Sequence, residues 1–174
     1  MTNEHFHKVV FIIFAFLSVT IISCNNNNAQ RQFERDASGP AQNYTHTSSQ
    51  GKVDGAKDPD DWRIGPMFQG YVELTNLPYP NPVATNNVIN IQLTVTGLSS
   101  VYGLNIYYRD FNSQLKPIYR DPTSPLPTGI QPMIRINSSS LSPTGNPDDA
   151  KGLHRIFIYD NNDNLITYGD IMVQ

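Results

Sequence analysis

The chain has 174 residues, 39% of them apolar and 16% charged, with 13 Pro, 11 Gly, a single Cys and a formal charge of −3. That length bounds the answer to one domain and a tail, and scarce charge beside abundant Pro and Gly excludes a long-helix or coiled-coil protein. With 12 basic against 15 acidic residues there is no basic excess to hold nucleic acid, and one Cys excludes an internal disulfide framework and any multi-cysteine zinc site.

Residues 9–22 (VVFIIFAFLSVTII) form an uncharged run preceded by Lys8. A membrane-spanning helix needs about 20 apolar residues, whereas the h-region of a secretory signal peptide takes roughly 7–15. The run ends Ile21-Ile22-Ser23-Cys24, which resembles the lipobox of bacterial lipoproteins. The resemblance implies that residues 1–23 are a signal peptide and that the Cys24 thiol is diacylglycerated. Cleavage before Cys24 then frees an amino group that is often acylated as well. One acyl chain binds a membrane only marginally, and two or more anchor stably. The only thiol is thereby committed to lipid, which takes cysteine out of any catalytic argument.

Residues 25–58 carry no apolar periodicity, and Phe33, Tyr44 and Val53 are the sizeable hydrophobic side chains among them. Such a segment cannot offset its ordering entropy, so residues 24–60 are expected to form a lipidated, disordered tether. A flexible chain of about 34 residues spans roughly 30–35 Å and reaches about 110–120 Å when stretched.

From residue 61 to 174 the pattern changes to short alternating runs separated by turn residues, the signature of half-buried strands. A first strand is expected at 70–74. Ile89, Ile91, Leu93 and Val95 alternate with polar residues in a second, and Leu104, Ile106 and Tyr108 do so in a third. Residues 115–119 read as an edge, because Pro117 cannot donate to a ladder. Residues 133–136 are short, with Ile134 and Ile136 on one face. Residues 153–159 and 165–173 flank Asp160-Asn161-Asn162-Asp163-Asn164, whose side chains tolerate left-handed backbone and make Asx turns, so this stretch reads as a hairpin. Six or seven strands without a helical window predict an all-β, antiparallel, immunoglobulin-like β-sandwich.

The order of Tyr79-Pro80-Asn81-Pro82-Val83, then Ile106-Tyr107-Tyr108-Arg109-Asp110, then Gly152-Leu153-His154-Arg155-Ile156-Phe157-Ile158-Tyr159 and a closing apolar strand is similar to the immunoglobulin-like modules that open with the same Tyr-Pro-Asn-Pro turn. Two groups share it: the C-terminal sorting domains of the type IX secretion system and the Ig-like domains of flagellar hook-capping proteins. The resemblance spans about residues 77–174 and implies an Ig-like fold with, for the first group, a sorting or attachment role. Physically, the two prolines fix φ at about −65° on either side of Asn81 and set a rigid approach to the first sandwich strand.

Few residues suggest chemistry. His46 falls in the tether and His154 in a strand, with no nucleophile-elbow pattern beside either, and two separated histidines do not make a zinc site. Asp160 and Asp163 offer oxygens to Ca²⁺, but the run lacks the Gly and distal Glu of a hand-type loop and reads first as a structural turn. Asp148-Asp149 reads as a solvated acid pair. Tyr107 and Tyr108 point to opposite faces, so one of them is expected to be exposed, where an aromatic can serve as a sugar platform or protein-binding patch.

The sequence therefore predicts a non-enzymatic lipoprotein of the bacterial cell envelope, anchored to the outer membrane through Cys24. Its Ig-like sandwich contacts another envelope protein or a glycan, with no cofactor and no nucleic acid. Two alternatives stay open: a type IX-like sorting or attachment module, and a carbohydrate- or calcium-binding module.

Overall fold

The computed structural model describes residues 28–174; the expected signal peptide and Cys24 lie outside the described residues. Wherever apolar and polar residues alternate, the chain forms a strand. The strands are β1 (Arg63–Ile64), β2 (Val72–Tyr79), β3 (Val88–Val95), β4 (Leu104–Arg109), β5 (Leu115–Asp121), β6 (Gly129–Ile130), β7 (Ile134–Asn137), β8 (Gly152–Tyr159) and β9 (Leu165–Val173). Seven of these have four residues or more and correspond to the seven expected; β1 and β6, of two residues each, were not foreseen.

The strands make two antiparallel sheets. One has the order β1-β9-β8-β4-β5, and in the other β3 pairs with β2 on one side and with β6 and β7 on the other. This is the immunoglobulin arrangement, with β4, β8 and β9 in the places of strands C, F and G and β2, β3 and β7 in those of A, B and E. The core lies between the sheets. Ile89, Ile91, Leu93 and Val95 of β3 meet Ile106, Tyr108, Ile156, Ile158 and Ile171 of the facing sheet, all of them buried. The hairpin β8–β9 closes as expected on Asp160, whose N–H donates to Asn164 O, with Asp163 in the left-handed region at φ 60°.

The Tyr-Pro-Asn-Pro turn lies after β2 and joins it to β3, so it does not lead into the first strand. Its Asn81 is fully buried, and every polar group of that side chain is used. Nδ2 donates to Thr45 O (3.0 Å) and Asp170 O (2.9 Å), while Oδ1 accepts from Met172 N (3.0 Å). The motif's Asn is a stitch that ties an N-terminal segment to β9.

That segment corrects the expected tether. Residues 28–37 form a helix, α1, and residues 38–62 run as a strap that starts on Arg155 and Arg109 of the five-stranded sheet, passes Asn81 and the end of β2, and reaches the edge of β9 at Trp62. Gln30, Phe33 and Ala37 are the buried face of α1, at the i, i+3, i+7 spacing of one helical side. Phe33 and Ala37 pack on Phe157, Leu165 and Tyr168, which are therefore a second, smaller core. The strap is held by polar groups: Thr45 N donates to Asp61 Oδ2 (2.6 Å), Thr45 Oγ1 accepts from Asp58 N (3.0 Å), and Thr47 exchanges backbone hydrogen bonds with Asn81. A search for apolar periodicity passes over such a segment, because two hydrophobic side chains and a set of hydrogen-bonded Thr and Asp residues hold it down. Among the described residues packing therefore already includes 28–60, and the folded unit is larger than residues 61–174.

Trp62 shows how tightly the strap meets the sheet. The residue takes a left-handed backbone (φ 59°), its N–H donates to Tyr168 O (2.7 Å), and its indole lies flat on Gly169. A Cβ at residue 169 would stand 2.3 Å from the indole ring. Gly169→Ala is expected to cost about 1–3 kcal/mol by overpacking, seen as a lower urea midpoint at unchanged m-value. An unchanged midpoint would mean that the indole does not rest there.

Candidate functional site

Chemistry is concentrated in two places. The first lies beneath the strap. Arg155 of β8 is 6% exposed and stands opposite Asp170 of β9, to which Nε and Nη2 each donate at 2.7 Å in a bidentate pair. Its Nη1 reaches the carbonyls of Asp36 and Ala37 (3.4 Å) and Gly39 (3.1 Å) at the C-terminal end of α1, and Arg109 of β4 donates to Ser38 O (2.8 Å) and Gly39 O (3.0 Å). Two guanidinium groups from the sheet thus satisfy carbonyls that a helix end leaves unpaired, where positive charge is favoured. Arg155 and Arg63 also approach the Tyr168 ring (5.1 and 5.9 Å from guanidinium carbon to centroid), and Arg109 approaches Phe157 (5.0 Å).

Burial works against the charge on Arg155, but hydrogen bonds and charge from Asp170, with help from Asp60, outweigh it and hold its pKa above the ordinary value. Burial pushes the Asp170 carboxyl up, and the guanidinium pulls against that shift. Tyr168 donates its hydroxyl to Asp60 (2.6 Å); burial and that carboxylate push it up to about 12. Asp61 is pushed up to about 6 by burial, although backbone N–H groups of Asp170 and Thr45 favour its ionised form. A polar cavity of about 190 Å³ adjoins this cluster, lined by Asp36, Gln42, Asp58, Asp60, Arg155 and Asp170 among others. The donors of Arg155 are already taken by carboxylate and carbonyl oxygens, so the network fastens the strap and leaves no free cation for a ligand.

The second place is the end of the sandwich at the β3–β4 loop and the β8–β9 turn. A groove of about 410 Å³ runs between Met67, Tyr71, Leu98 and Tyr102 on one side and Asn162 and Asn164 on the other. Leu98 is 88% exposed and Tyr71 50%. The Tyr71 ring is not loose: it lies against Gly97, where a Cβ would come within 2.4 Å of it. Tyr102 O accepts from Asn161 N (2.8 Å), which locks the loop to the turn. Met67, Tyr71, Leu98 and Tyr102 form an apolar, aromatic surface with amide neighbours. It has the composition of a contact surface and holds no nucleophile–base pair.

The residues singled out from the sequence fall in and around these places unevenly. Asp160 borders the groove, but its side chain is spent on the turn: Oδ1 accepts from Asn162 N and Asn164 N (2.9 Å each), and the Asn164 amide contacts both oxygens. Asp163 is exposed at the tip of that turn. Among the described residues no group of three or more His, Cys, Asp or Glu is placed to hold a metal ion. His154 Nε2 bonds Ala150 O (2.6 Å) beside Tyr108, and burial lowers its pKa while that bond raises it. The expectation that Tyr107 or Tyr108 is an exposed platform is corrected: Tyr108 is 4% exposed in the core, and Tyr107 is half-buried edge-on to Tyr159. The exposed tyrosines are Tyr71 and Tyr102, and the sequence signal for them was their position beside Gly70 and Gly103. His46 stacks on Tyr44 and bonds its hydroxyl (3.0 Å).

No protein-family model matches the chain, and no curated protein matches it either. Among the described residues no helix is long and apolar enough to cross a membrane.

Proposed function

We propose that this chain is a lipid-anchored protein of the bacterial cell envelope that holds an immunoglobulin-like sandwich at the outer-membrane surface for contact with another envelope component. The observation that carries the reading is the lipobox Ile21-Ile22-Ser23-Cys24 directly after an apolar run of signal-peptide length, with the only thiol of the chain at its end. The fold supports it from the other side. A β-sandwich whose polar clusters are consumed by internal pairing suits binding better than catalysis.

The test is the intact mass of protein extracted from the membrane fraction of its native host. Residues 24–174 carrying two or three acyl chains are expected, and Cys24→Ser is expected to carry none and to retain residues 1–23. A wild-type mass without acyl chains would overturn the reading. A mass short of β8 and β9 would favour the sorting module instead.

A further inference from the structure

The aromatic groove and the start of α1 lie at the same end of the molecule. Gln30, in the first turn of α1, donates from Nε2 to Leu165 O (3.1 Å), the first residue of β9 after the hairpin turn. Its Oε1 accepts from Met67 N (3.2 Å), and Met67 lines the groove. Ala29 shares a second groove with Pro66 and Gln69, the neighbours of Met67. The described residues therefore begin, at residue 28, on the side of the molecule where Met67 borders the aromatic groove. Four peptide links separate residue 28 from Cys24, and at about 3.3–3.6 Å each they reach at most about 14 Å.

We infer that this end of the sandwich rests on the lipid surface, with Leu98, Met67, Tyr71 and Tyr102 in contact with the headgroup and upper acyl region. The inference rests on the anchoring proposed above. A lipid at Cys24 cannot be farther from residue 28 than the short link allows, which puts the bilayer against this end and not against the β4–β5 turn. The side chains exposed there are the kinds that partition into that zone: an aliphatic tip, a thioether, and two tyrosines with an apolar ring and a polar hydroxyl. No Lys or Arg lines the groove. Lys57 and Arg63 line the neighbouring groove beside Ala29, so anionic lipid can add to the contact from that side, and phosphatidylcholine isolates the apolar insertion at the aromatic groove. Phe111, 76% exposed, lies in the turn at the far end of β4, about 20 Å away for a six-residue strand, and stays in water.

The test uses the lipidated full-length protein, purified from membranes and returned to phosphatidylcholine vesicles containing brominated acyl chains. Leu98→Cys and Phe111→Cys are each labelled with an environment-sensitive thiol dye; the thioether at Cys24 does not react. Both positions are exposed, so neither substitution disturbs the core. The dye at residue 98 is expected to be quenched at least twofold more than the dye at residue 111, and a further Tyr71→Ser/Met67→Asp change is expected to remove most of that difference. Equal quenching at the two positions, or stronger quenching at 111, on protein whose mass carries acyl chains would overturn the docking and leave the anchor standing. Protein without acyl chains would overturn both.

Discussion

Replacing Arg155 by Met is expected to lower the unfolding free energy by about 3–5 kcal/mol, the cost of leaving a buried carboxylate without its partner. Asp170 is 1% exposed, and its side-chain oxygens face the guanidinium at 2.7 Å. With Arg155 gone, the carboxyl must protonate or draw water into the sheet face. Met keeps much of the stem volume, so the measured loss reports the charge and not a cavity. The double variant Arg155→Met/Asp170→Leu is expected to recover most of the loss, because apolar replacement of a whole buried pair is often near neutral. Recovery should be incomplete in one region. Nη1 of Arg155 also serves the carbonyls at the end of α1, so amide-exchange protection at residues 28–39 stays low in both variants while the β8–β9 ladder regains its own. A single-variant cost below about 1 kcal/mol, the scale of an exposed pair, would show that the pair is hydrated.

Phe33→Ala is expected to cost about 3 kcal/mol or more, the usual range for removing a buried phenyl ring. The ring is 5% exposed, lies 5.0 Å from the Tyr168 ring centroid, and has the Arg63 guanidinium 5.6 Å above it. Without it α1 keeps only Gln30 and Ala37 against the sheet, and Phe157, Leu165 and Tyr168 become partly wet. Urea unfolding and trypsin cleavage after Arg31 and Arg35 would follow the change. The variant is expected to be nicked there under conditions that leave the parent intact. Lys52→Ala, at an exposed position in the same strap, is the control and should stay within about 0.5 kcal/mol. If Phe33→Ala behaved like that control, residues 28–60 would be the tether that their composition suggests.

The sandwich was legible because β3, β4 and β7 write a period of two into the sequence, most plainly at Ile89, Ile91, Leu93 and Val95, while β8 and β9, buried on both faces over much of their length, read as β-rich runs flanking a turn. The helix α1 was not, although Gln, Arg, Glu and Ala are good helix formers. Its attachment uses a glutamine at one end and two arginines from distant strands at the other, and neither leaves a mark on an apolar pattern. The Arg155–Asp170 pair was hidden by a single irregularity. Counted back from the hairpin turn without a bulge, Tyr159 opposite Leu165 would set Arg155 opposite Gly169; the shift between Ile158 and Tyr159 moves it to Asp170. One residue of register separates an unremarkable strand from the centre of the network. The roles of Gly169 and Asp170 depend on the strap, which supplies Trp62 to one and Asp60 and Asp61 to the environment of the other.

The strand edges of the sandwich bear on its behaviour at high local density. β5, at one side of the larger sheet, is largely exposed and carries Pro117, which has no N–H to offer, beside Lys116 and Arg120. At the other side β1 has only two residues, and in the smaller sheet β2 is interrupted by two register shifts while β6 and β7 are short. A neighbouring copy colliding sideways therefore finds no straight run of unpaired amides and carbonyls on which to extend a sheet. Molecules confined to a plane meet far more often than the same number in solution, and strand-to-strand fusion is the hazard that such crowding brings. With every edge among the described strands short, kinked or proline-bearing, copies of this protein can meet often and remain separate molecules.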